Sequence, residues 1–185
     1  QVLENCLSSL MDPHEATLGT RLPGRVTRIQ SYALWFSTDV RCSLVGGPAR
    51  ALDSMWSELT FSTRFVSRLL QRTLHHLLTD PATQAQTAVC VEEARRRVAA
   101  FRSALRQAGF ALPERAGPSL WLPVPNELDA VRRAAERGIT IFPGNLCFTE
   151  PAGPCDPQFV HVCATNLPDD YEAMAAALRD AALGH

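Results

Sequence analysis

The order of hydrophobic periodicities is the tightest constraint on what this chain can fold into. From residue 119 onward it reads strand, helix, strand, strand, helix. Residues 119–124 have the character of a strand. Residues 126–137 carry helical spacing, with Asn126 as the N-cap and Gly138 as the stop. A strand follows at 139–142, then Pro143-Gly144 opens a loop that runs to Pro157. Residues 159–164 form a further strand. Residues 168–183 form an amphipathic helix entered through Asn166 or Asp169. Elements in this order bury their apolar faces as a small α+β unit.

Upstream, residues 1–4 read as the tail of a strand, and Asp12-Pro13 and Pro23-Gly24 mark a loop. Strands are expected at 26–32 and 40–45, the second ended by Gly46-Gly47. Pro48 stands where a helix begins, and 49–59 continues it. Phe65, Leu69, Leu70 and Leu77 give 62–78 helical spacing. Asp80-Pro81 separates that helix from a long one at 82–108, which Gly109 stops. The composition then turns linker-like from Pro113 to Pro118. This divides the chain into a first part, 1–110, and a small α+β domain, 111–185.

Of the 185 residues, 46% are hydrophobic and 20% charged, the profile of a globular chain rather than a disordered one. The net charge of -1 argues against a nucleic-acid surface within these residues. No apolar run approaches the roughly 20 residues of a membrane span, so no membrane contact is expected. Residues 1–10 lack the basic start of a signal peptide, which points to the cytoplasm. The absence of an initial Met and an opening in mid-strand suggest a fragment.

All 18 residues counted as Lys+Arg are arginine. A guanidinium stays protonated and forms no Schiff base, whereas a lysine amine does. The six cysteines form no CxxC pair, so a zinc site is not expected and they read as small apolar residues in a reducing compartment. Cys147 and Cys155 share one loop. His75-His76 reads as a partly exposed helix face rather than a metal site, and Arg95-Arg96-Arg97 as a solvated one.

Three stretches carry a resemblance. The first is Ser31-Tyr32-Ala33-Leu34, then Asp39-Val40-Arg41 and Val45-Gly46-Gly47-Pro48. The second is Ser67-Arg68-Leu69-Leu70-Gln71. The third is Arg137-Gly138-Ile139-Thr140-Ile141-Phe142-Pro143-Gly144. In this order the set resembles fold-type-I PLP-dependent aminotransferases of class I/II. It is closest to the aminotransferase-like domain of MocR-type regulators in the GntR family. The resemblance implies an α/β chain: the C-terminal part of the aspartate aminotransferase-like fold, ending in a small α+β domain. In that family the first stretch ends in a lysine that holds PLP as an imine, and an Arg shortly after grips its phosphate.

The departures bear on chemistry. Leu34 stands at the lysine position and has no nucleophilic atom, so the resemblance implies PLP as cofactor but no covalent link to it. Asn5 stands where the family's Asp pairs with the pyridinium nitrogen. His161 falls at the Arg that binds a substrate carboxylate, and a His offers no bidentate fork. Ser31 and Arg41 keep part of a phosphate cradle, with salt bridging to Asp39 as the other reading of Arg41.

Three functions follow as expectations. The first is an effector-sensing and dimerising half of a MocR-like regulator, a homodimer that binds an amino acid or a PLP-like small molecule. Its DNA contact would come only through an upstream domain. The second is a fragment of an aminotransferase acting on amino acids. The third is a structural pseudoenzyme subunit.

Overall fold

The computed structural model describes residues 2–5, 17–33, 35–62, 66–112, 117–148, 157–164 and 168–184, Asn5 through its backbone alone. They form two compact units, Gln1–Glu92 and Glu93–His185.

The first unit holds a three-stranded sheet in the order β1-β2-β3, from β1 (Val2–Asn5), β2 (Val26–Ser31) and β3 (Ser43–Gly46). Strand β1 runs parallel to β2, from Val2 opposite Val26 to Asn5 opposite Ile29. Strand β3 is antiparallel, from Arg28 opposite Gly46 to Ser31 opposite Ser43. Between β1 and β2 a 3-10 turn, Leu18–Thr20, is tied to β1 by Glu4. The Glu4 carboxylate accepts from the Thr17 hydroxyl at 2.6 Å and from the Leu18 N–H at 2.6 Å. Those bonds, the Thr17 one foremost, hold the carboxyl below its ordinary range.

The strand expected at 40–45 begins later, at Ser43. Local turns take the backbone before it: Val40 N–H donates to Ser37 O and Arg41 N–H to Asp39 O, both at 2.9 Å. Gly47 is required by contact, since a Cβ there would lie 2.9 Å from Thr27 Oγ1 and 3.1 Å from Thr27 Cα.

Helix α1 (Ala49–Leu59) starts behind Pro48, whose fixed φ suits a helix entry. Thr60, Phe61 and Ser62 then donate back to its last carbonyls. Helix α2 (Arg68–Thr79) therefore begins later than the hydrophobic spacing implied. Its Leu74 meets Val40 and Cys42 in a buried cluster, flanked by Tyr32, Phe36, Leu70, Leu77 and Leu78. Asp80 then caps α3 (Pro81–Gln107), accepting from the Thr83 N–H at 2.8 Å and its hydroxyl at 2.9 Å. Gly109, at φ +95°, turns the chain out of α3.

The second unit realises the strand–helix–strand–strand–helix order. Strands β4 (Ser119–Pro123), β5 (Phe142–Pro143) and β6 (Phe159–Cys163) pair antiparallel in the order β4-β6-β5. Leu120, Leu122, Val160 and Val162 point into the core. Helix α4 (Glu127–Glu136) and helix α5 (Tyr171–Leu183) pack together. Ala130 and Ala134 are buried on α4, and Ala175, Leu178, Ala181 and Ala182 on α5. Small side chains let the two backbones approach. Val98, Phe101, Ala104 and Leu105 of α3 complete this core, and Phe101 lies 6.2 Å from the Tyr171 ring. Burying each Leu, Val or Phe contributes about 1.5–3 kcal/mol.

Strand β5 covers only Phe142–Pro143 instead of 139–142. Gly138 takes φ +73°, and the Ile139 N–H donates to Ala134 O at 2.9 Å, so the helix end consumes the donor a strand would use. At α5 the N-cap is Asp170, accepting from the Ala173 N–H at 3.1 Å. Asp169 instead accepts from the Tyr171 hydroxyl at 3.2 Å and faces Arg97 at 3.5 Å, while Asn166 lies outside the described residues.

Candidate functional site

Strand β2 ends at Ser31, and the chain turns at once: Trp35 and Phe36 N–H groups both donate to Tyr32 O at 3.2 Å. Three aromatic rings pin this turn. The Tyr32 and Phe36 rings stack at 6.3 Å, and Trp35 meets Tyr32 edge-on at 6.3 Å. Leu34 lies outside the described residues.

Tyr32 donates its N–H to Cys42 O at 3.2 Å, which extends the β2–β3 register by one pair. Tyr32 and Cys42 join the buried cluster with Val40. Arg41, between two buried residues, is exposed. Ser31, half-buried, alternates with Tyr32 and is paired with Ser43. Thus Ser31 and Ser43 share one face of the sheet, and exposed Arg41 lies in the turn just before β3. Asn5 pairs through its backbone with Ile29, two residues before Ser31.

The salt bridge read as an alternative for Arg41 does not form. Among the described residues Arg41 makes no ion pair, and Asp39 is engaged by the Ser37 hydroxyl at 3.4 Å. A hydroxyl and a guanidinium are the donor types that would suit the phosphate end of PLP. They do not suit a covalent hold, because the chain contains no lysine. When bound, PLP supplies an electron sink; Ser31 and Arg41 would do no more than grip its phosphate.

His161 lies in the second unit, on the central strand β6, with its neighbours Val160 and Val162 buried on the opposite face. Its cross-strand partners are Trp121 on β4 and Phe142 on β5. The Trp121 and His161 rings lie 5.3 Å apart at 59°. Trp121 is 39% exposed and Phe142 56%. The imidazole is thus one of three rings on an open sheet face, a setting that sequence reading missed. Strand alternation at Trp121 was its only local signal.

Below this sheet, the buried Glu127 organises the turn after β5. Its carboxylate accepts from the Asn145 N–H at 3.1 Å, and its own N–H donates to Gln158 Oε1 at 2.8 Å. Glu127 was also missed, since at the sequence level it reads as an ordinary first-turn acid.

Elsewhere, Arg96 binds Glu93 at 2.7 Å and Arg97 binds it at 2.9 Å. The Arg96 bond first, then the Arg97 bond, lower the Glu93 carboxyl to about 2. His75 and His76 are exposed on α2. Among the described residues no His, Cys, Asp and Glu side chains cluster as a metal site. Cys42 is buried and Cys90, Cys147 and Cys163 are exposed, and these four form no disulfide. Among them, too, no helix is long and apolar enough to cross a membrane.

The chain has the aspartate aminotransferase-like α/β fold of PLP-dependent enzymes and corresponds to its C-terminal part. It is similar to LysN, the alpha-aminoadipate aminotransferase of Thermus thermophilus, with 18% identity and a TM-score of 0.79 over 99% of this chain and 50% of that one. Aspartate aminotransferase from Thermus thermophilus with maleate matches at 20% identity and a TM-score of 0.74, over 97% of this chain and 47% of that one. YbdL from Escherichia coli, described with a methionine aminotransferase function, matches at 14% identity and 0.73, over 97% of this chain and 50% of that one. The chain therefore spans about half the length of these solved relatives. No family model matches it, and neither does any curated protein.

Proposed function

We propose that the chain is a ligand-binding, aminotransferase-like domain without covalent PLP chemistry, the sensing and dimerising half of a MocR-like regulator of the GntR family. The observation that carries this reading is an aminotransferase fold over 99% of a chain that holds no lysine. Whatever binds here binds through noncovalent contacts. Ser31 and Arg41 would hold a phosphate, and Leu34 leaves the lysine position inert. Asn5 at the pyridinium position offers an amide in place of a carboxylate, which weakens protonation of the ring nitrogen. His161, set against Trp121, would replace the guanidinium fork for a carboxylate with ring contact and one N–H. The ligand class is an amino acid or a PLP-like molecule, and the assembly a cytoplasmic homodimer. DNA contact belongs to an upstream winged helix.

A second reading, a fragment of a class I/II aminotransferase, draws on the half-length coverage of its solved relatives. The third, a structural pseudoenzyme subunit, predicts copurification with a lysine-bearing homologue.

The deciding experiment is intact mass spectrometry of the native polypeptide from its source cell, with and without borohydride reduction in the presence of PLP. The regulator reading expects a mass that leaves room for a basic winged helix upstream, and no reduced PLP adduct. A native chain longer only by the front of the aminotransferase domain overturns it in favour of a degenerate or partner-dependent enzyme. An adduct gained by Leu34→Lys would locate the lost attachment point.

A further inference from the structure

A cavity of about 540 Å³ opens in the first unit, away from the residues proposed above to bind a ligand. It is lined by Gly24, Arg25, Pro48, Arg50, Ala51 and Ser54. Arg25 immediately precedes β2, and Arg50 and Ser54 lie one turn apart on α1. Among the described residues the lining holds two arginines and a serine but no carboxylate. Among the described residues neither Arg25 nor Arg50 makes an ion pair. The first turn of helix α1 has no acid, and Pro48 brings no side-chain cap. Space is left beside the arginines, since a Cβ built on Gly24 meets nothing within 4 Å.

We infer that this cavity is a binding site for a phosphorylated small molecule. Its phosphoryl oxygens would be gripped by Arg25 and Arg50, and Ser54 would donate a further bond. Planar guanidiniums suit a doubly charged phosphoryl group, because each presents two parallel N–H donors. The volume lies in the range of small-metabolite pockets. The site is separate from Ser31 and Arg41, so it would carry a second ligand rather than PLP.

The test is titration calorimetry of the protein with inorganic pyrophosphate at low ionic strength. Arg25→Gln, Arg50→Gln and Arg41→Gln are run in parallel, each first shown folded by circular dichroism. Saturable binding is expected, with a component that Arg25→Gln and Arg50→Gln each weaken about tenfold or more and Arg41→Gln does not. Sedimentation with phosphatidylcholine vesicles containing phosphatidic acid separates the sources of the phosphoryl group. Arginine-dependent cosedimentation assigns it to a lipid, and pyrophosphate binding without cosedimentation assigns it to a soluble metabolite. Neither binding nor cosedimentation overturns the inference, as does binding that only Arg41→Gln weakens.

Discussion

Replacing Gly144 by Ala probes how the second unit is built. Gly144 is buried at the start of a 3-10 turn, Gly144–Cys147, that follows β5. A Cβ there would lie 2.7 Å from the Phe159 carbonyl oxygen and 3.3 Å from its carbon. The obstacle is backbone on the central strand, not the end of a flexible side chain. Relief requires either β6 or the turn to shift, and the turn is held by the Asn145–Glu127 bond at 3.1 Å. Overpacking of this kind costs about 1–3 kcal/mol, and a backbone obstacle places the expectation near 2–3 kcal/mol. With a urea slope of about 1–3 kcal/mol/M, the unfolding midpoint falls by about 1 M at unchanged slope. Gly117→Ala is the control in the same unit, because a Cβ there meets nothing within 4 Å. It leaves stability unchanged or raises it by up to about 1 kcal/mol through the unfolded chain. Urea unfolding followed by circular dichroism measures both. A Gly144→Ala protein within 0.5 kcal/mol of the parent, taking 0.5 as about the spread of neutral substitutions, would refute the close packing of turn against strand.

Three further outcomes are expected. Arg133 on α4 donates to Ala181 O at 2.6 Å and Ala182 O at 3.3 Å, capping the last carbonyls of α5. Arg133→Met keeps the apolar stem and removes these bonds, and a loss of about 1–3 kcal/mol with faster amide exchange at the end of α5 is expected in exchange mass spectrometry. Glu127→Ala strands the Asn145 N–H and costs about 1–3 kcal/mol in the same urea assay, whereas Glu127→Gln keeps an acceptor and loses less. Carboxyl NMR is expected to find Glu93 titrating near 2, below its ordinary 4.5. Its folded-state value is depressed, so its pairing with Arg96 and Arg97 favours folding above pH 4.5 and fades as pH falls towards 2. In Arg96→Ala the Glu93 carboxyl should return towards its ordinary range.

The chain by itself determined two kinds of property. Its element order followed from hydrophobic spacing and local punctuation, and Asn126 does cap α4 by accepting from the Asp129 N–H at 3.0 Å. Such signals are readable because their partners lie within a turn of one another. The missing lysine is equally a property of the chain, since folding cannot create a nucleophile that composition withholds. What only the tertiary structure decided depends on residues far apart in sequence. That β6 lies between β4 and β5, and so sets His161 against Trp121, is a choice of register across some forty residues. The α5 cap is Asp170, while Asp169 accepts from Tyr171 and faces Arg97, a residue 72 positions upstream. Arg133 serves a helix end 48 residues downstream, and Gly144 is needed only because β6 passes over it. Local propensity does not encode these contacts, because each exists only after the unit has packed.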